Sequence, residues 1–180
     1  MSELTQAMIV NAAVLVAVLH SDLGSSRKIG PMRILRPVLI AAAVIPLFIE
    51  RPVTQGTGLA VELAGVAAGL LGGLAAVALM NVYRSPETGR PVSAAGRPYA
   101  LLWIVVIGAR AAFSYGSGHW FSAQLTSWCI AHQVTGAAIT DALIVMAVVM
   151  LVTRTVGLGA RAARLPAAPR SSAGLGAVRV

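Results

Sequence analysis

Between Gly58 and Val82 the chain has about 25 consecutive residues with a single charge, Glu62, which at about 1.5 Å rise per residue is long enough to cross a bilayer as a helix. Within it Gly65, Gly69 and Gly73 recur every fourth residue, beside Ala64, Ala68, Gly72 and Ala76. One side of such a helix is nearly bare backbone, and a bare face lets another helix come unusually close. Glu62 lies three residues before Gly65, on the same face by helical spacing. The spacing predicts a glycine-zipper seam, seated on another span of the same chain or on a second copy.

Composition extends the argument to the whole chain. Of 180 residues, 57% are hydrophobic and 11% charged, against roughly 45–50% and about 25% in soluble domains. The chain reads as an all-α polytopic helix bundle in a lipid bilayer. The net charge of +8 is spread in short runs between apolar segments with no aromatic-interleaved basic patch, which argues against nucleic acid. Cys129 is the sole cysteine, which excludes an intrachain disulfide or a paired-thiol redox motif. Met1–Leu4 carries Glu3 and no Lys or Arg, so the first apolar run reads as retained rather than cleaved.

Five spans are predicted, over about 4–19, 35–49, 58–82, 99–113 and 134–153. Between the last two, residues 116–133 contain no Lys or Arg and set Trp120, Phe121 and Trp128 among Ser, Gln and Thr. That pattern predicts a short helix lying at the outer interface. Residues 81–98 read as a polar connector with turn chemistry, and 158–180, rich in Ala, Gly, Pro, Ser and Arg, as a disordered cytoplasmic tail. With five spans, the connectors after spans one, three and five hold four, three and five Lys/Arg residues, and those on the other side hold one in all. The positive-inside rule then places the amino terminus outside and the carboxyl terminus in the cytoplasm, in a plasma membrane.

Three ionisable residues fall at membrane depth, where each is expensive and needs a partner. Counting along the helices puts Arg110 and Asp141 about 16 and 18 Å from the cytoplasmic surface, and Glu62 about 6 Å below the outer one. The matched heights predict an Arg110–Asp141 ion pair, with Glu62 as an alternative or third member. Such a group either fixes helix rotation or lines a proton, ion or substrate path. His20, His119 and His132 lie in different places with no cysteine or carboxylate at ligand spacing, so no metal or haem site is predicted. Nucleophile, zincin, phosphate-loop and dinucleotide motifs are absent; no catalytic residues and no cofactor are expected.

Several stretches carry a family resemblance. Gly69-Leu-Leu-Gly-Gly73 leading to Asn81-Val-Tyr-Arg84, the Gly89-Arg90 turn, Tyr99-Ala-Leu-Leu-Trp103 followed by Gly108-Ala-Arg110, and Tyr115–Phe121 resemble a small actinobacterial membrane family akin to the CcdC-like proteins associated with cytochrome c biogenesis. The resemblance, over about Arg27–Arg164, implies a polytopic membrane protein with a short basic hairpin and an arginine in the following span. Without paired cysteines, no thiol-transfer role carries over. The expectation is a non-enzymatic accessory or assembly factor with a membrane-protein partner or a homo-oligomeric state. The alternative is a small proton- or ion-coupled transporter built on Arg110, Asp141 and Glu62.

Overall fold

A computed structural model describes residues 56–166 continuously, residues 27–30, and single positions within 12–20 and 32–39. The continuous part runs α1 (Gly56–Ala78), β2 (Met80–Arg84), β3 (Pro91–Ala95), α2 (Arg97–His119), α3 (Ser122–His132) and α4 (Gly136–Ala163), with a two-residue strand β1 (Arg27–Lys28) preceding it. Among the described residues, α1, α2 and α4 are long and apolar enough to cross a membrane. The predicted spans at 4–19 and 35–49 lie outside the described residues, apart from isolated helical positions.

Three boundaries differ from the sequence expectation. The glycine-bearing helix ends at Ala78, four residues short of Val82, because Met80–Arg84 enters a strand. The stretch read as a polar connector with turn chemistry is an antiparallel β-hairpin, pairing Val82 with Ser93 and Tyr83 with Val92. Within its turn Ser85 N–H donates to Arg90 O at 2.9 Å and Gly89 N–H to Ser85 O at 2.8 Å, while Gly89, at φ 62°, supplies the left-handed residue that an L side chain resists. Arg27–Lys28 pairs with Ser93 and Val92 on the other edge of β3, giving a three-stranded sheet in the order β1-β3-β2. The fold is therefore mostly helical but not all-α. Pro91, which has no N–H to give the central strand, stands at its first residue.

The fourth predicted span is longer than 99–113: α2 begins at Arg97, with Pro98 in its first turn, where a missing N–H costs nothing. It ends where Trp120 and Phe121 both donate their backbone N–H to Gly116 O. α3 is confined to Ser122–His132. Thr135 then caps α4, its hydroxyl accepting from Ala138 N–H at 3.1 Å. α4 does not stop at Arg154. Its last turns, Leu158–Ala163, were expected in the disordered tail and are helical, with Leu158 buried; residues 167–180 lie outside the described residues.

α1 runs toward the sheet, α2 runs away from it, α3 lies at the far end, and α4 returns. The buried cluster sits at the sheet end, joining Ala76, Met80, Ala95, Tyr99, Trp103, Ile107, Met150 and Leu158, with Leu15, Val18 and Leu19 packed against it. Alternate strand residues explain the geometry: Met80, Val82, Ser93 and Ala95 share one face of the hairpin, and Met80 and Ala95 of that face enter the cluster.

Candidate functional site

Three small residues every fourth position on α1 leave no side chains to hold a neighbour off, and α4 fills the space. A Cβ placed on Gly65 would lie 2.6 Å from Ala142 O, one on Gly69 2.5 Å from Met146 O, and one on Gly73 2.6 Å from Thr153 Cβ and 2.8 Å from Met150 O. The partners advance along α4 in step with the glycines, so the two helices run parallel at a steady register. Gly157 continues the seam from the α4 side, where a Cβ would lie 2.8 Å from Val77 Cγ2. Contact of backbone with backbone allows Cα–H···O interactions, each contributing about 0.5–1 kcal/mol. The glycine face is occupied from within the chain over these three turns, which removes it as a surface for a second copy.

The membrane-depth charges are half-buried, at Glu62 on α1, Arg110 on α2 and Asp141 on α4. Glu62 stands one turn before Gly65, at the start of the seam. Among the described residues no ion pair joins Arg110 to Asp141. Counting rise along a helix gives height but not azimuth, and each residue turns about 100°. Ala142, next to Asp141, faces α1, while α2 is anchored lower down, by Tyr99, Trp103 and Ile107 near the sheet.

The sheet end is laced by arginines whose roles the sequence pattern did not reveal. Arg161 Nη1 donates to Val77 O at 2.5 Å and Met80 O at 3.0 Å, satisfying a carbonyl that the last turn of α1 leaves without an intrahelical partner and joining it to the first residue of β2. Arg84 donates from Nε to Pro166 O, from Nη1 to Gly89 O at 2.9 Å and from Nη2 to Leu165 O at 3.3 Å, tying hairpin to α4. The Arg154 guanidinium lies 5.5 Å from the centroid of the Tyr99 ring, a cation–π arrangement, and Tyr99 is fully buried. Of the three, Arg161 alone stands in the last turn of a helix, while Arg84 ends a strand and Arg154 lies within α4, so position gave no common signal.

At the opposite end the three predicted interface aromatics part company. Phe121 is half-buried, with its ring over Gly116 and 5.7 Å from Phe113, so it holds the α2–α3 turn. Trp120 is 73% exposed and Trp128 39%. His119 stacks on Tyr115 and His132 on Trp128. Each histidine has its Nδ1 near the carbonyl four residues back, at 3.1 Å for Tyr115 O and 2.9 Å for Trp128 O; with Nδ1–H as donor, Nε2 is left as an acceptor. Beside His132 a cleft of about 390 Å³ opens between the first turn of α1 and the α3–α4 turn, lined by Thr57, Gln133 and Thr135 among others. Gln133 closes α3 in the left-handed region at φ 53°, a conformation that costs a residue bearing a Cβ roughly 1–2 kcal/mol. Among the described residues no group of three His, Cys, Asp or Glu side chains could hold a metal ion.

This arrangement can fix helices and present surfaces. No protein-family model, no curated protein and no solved structure matches the chain.

Proposed function

We propose that this chain is a multi-pass protein of the cytoplasmic membrane, with the sheet end in the cytoplasm, that acts without catalysis as an accessory or assembly factor for another membrane protein. The resemblance to the CcdC-like family belongs to this reading, and so do five spans, the first two of them at 4–19 and 35–49. The concentration of Lys28, Arg84, Arg90, Arg97, Arg161 and Arg164 at one end supports the orientation, because positively charged connectors remain on the cytoplasmic side.

One observation carries the docking role: α3 contributes no buried residue to the chain, yet it and its approach present Trp120 and Ile130, 73% and 74% exposed. A largely exposed isoleucine, and a tryptophan whose ring meets Tyr115 edge-on at 5.4 Å and is otherwise mostly exposed, suit an external contact. Trp is among the residues that dominate protein interfaces. The carrier alternative draws no support from an Arg110–Asp141 ion pair, since none joins them among the described residues.

Photo-crosslinking in intact cells tests the reading. A photoreactive residue at position 120 or 130 is expected to give a discrete protein adduct, and one at Leu101, on the exposed apolar side of α2, to give lipid adducts. Lipid adducts alone at all three positions would overturn the docking role.

A further inference from the structure

Helix ends explain some of the arginines at the sheet end and leave others unexplained. Arg84 and Arg161 are committed to carbonyls, and Arg154 to the ring of Tyr99. Lys28 on β1, Arg90 in the hairpin turn, Arg97 at the first residue of α2 and Arg164 at the end of α4 are different. All four are exposed, and none of their side chains makes a hydrogen bond or ion pair among the described residues. Glu87 is the one carboxylate described at that end. Mutual repulsion among these cations is met by the single Glu87 carboxylate among the described residues at that end, and Arg97 adds to it by sitting at the positive end of a helix with no acidic residue in its first turn.

What lies next to these cations identifies the missing anion. One turn beyond Arg97, α2 turns Leu101, Ile104 and Val105 outward, and two turns before Arg164, α4 turns Val156 outward, all exposed. An apolar outer surface that ends in cations matches the profile of one phospholipid leaflet, acyl chains followed by phosphate. A soluble polyanion such as a nucleic acid would have no use for the apolar half. We infer that Lys28, Arg90, Arg97 and Arg164 form a collar that binds the phosphate groups of anionic phospholipids around the sheet end. The collar requires helices that cross a membrane but not the accessory role, so the two readings fail separately.

The test uses the full chain purified in a neutral detergent and offered equal amounts of phosphatidylglycerol and phosphatidylcholine, with retained lipid read by native mass spectrometry. The unaltered protein is expected to retain phosphatidylglycerol preferentially. In a triple variant, Arg90→Gln, Arg97→Gln and Arg164→Gln, that preference is expected to fall about tenfold, since each basic residue near the headgroup layer contributes to attraction of anionic lipid. Replacing the same three with Lys is expected to keep most of it, and this charge-preserving triple together with single Gln variants decides the matter if the triple Gln variant does not fold. Equal retention of the two lipids by the unaltered protein, a triple Gln variant with undiminished preference, or displacement of phosphatidylglycerol by soluble polyphosphate at equal phosphate concentration would each overturn the collar.

Discussion

α1 and α4 meet backbone to backbone along three turns, whereas α2 is fastened to the same bundle by a row of large side chains near one end. The contrast follows from what holds helices together in lipid, where burying apolar surface against a neighbour gains little because acyl chains are equally apolar. Two solutions remain: bring backbones close enough for dense packing, or interlock large shapes. The glycines at 65, 69 and 73 provide the first. Tyr99, Trp103 and Ile107, one turn apart and all buried, provide the second, leaving Gly108 on α2 with nothing within 4 Å of a Cβ. Glycine in an apolar helix is therefore not one signal but two. It can be a contact, or it can be an unpacked position whose role lies elsewhere.

The most severe way to break the seam is Gly69→Leu. The new side chain must displace the Met146 carbonyl and Val149, both within 3 Å of its Cβ, and because the obstacle is backbone the helices have to separate. The expected loss is about 3 kcal/mol or more, at the upper end of overpacking costs, measured by unfolding equilibrium in detergent or bicelles. A Gly69→Leu protein as stable as the parent would mean that α1 and α4 are not seated as described.

The next effect belongs to the sheet end, where the parallel helices terminate together. Arg161→Ala leaves the carbonyls of Val77 and Met80 without their charged donor, and the expected cost is about 1.5–3 kcal/mol. Hydrogen exchange should show it locally, as faster exchange in the last turn of α1 and the first residues of β2, with the middle of the seam unchanged. Uniform acceleration through α1 would instead make Arg161 a global support.

A smaller effect of opposite sign is expected at Gly108→Ala. Open space surrounds that position, so the substitution should add the ordinary helix preference of alanine over glycine, about 0.5–1 kcal/mol of stability. Thermal unfolding of Gly69→Ala and Gly108→Ala side by side would separate the two kinds of glycine most directly. The first should lower the midpoint and the second raise it slightly.

These contrasts mark how far the sequence could be read. The periodic run around Gly65–Gly73 announced a helix and a bare face, because both are one-dimensional patterns with a fixed period. The strand pairing was not legible: the resemblance implied a short basic hairpin, but each strand is only five residues long, and what makes Met80-Asn-Val-Tyr-Arg84 a strand is pairing with Pro91–Ala95, a nonlocal fact. The extension of α4 past Arg154 was hidden for a related reason. A charge looks like a stop signal until the ring of Tyr99, 55 residues earlier in sequence, is found beneath it.

The least expected coupling is between the two charges that the sequence matched by height. A double-mutant cycle with Arg110→Gln and Asp141→Asn measures whether they sense one another: contacting residues in one ionic network give interaction energies of about 0.5–3 kcal/mol, while separated sites add within about 0.3–0.5 kcal/mol. With α2 anchored at Tyr99 and Trp103 and Asp141 one residue off the α1–α4 seam, the expected result is additivity within that smaller limit. A coupling of about 1 kcal/mol or more, inside the contacting range, would show that α2 rotates or leans toward α4 in the bilayer. It would restore an ionic link between the loosely held helix and the tight pair, and with it the case for a charge path through the bundle.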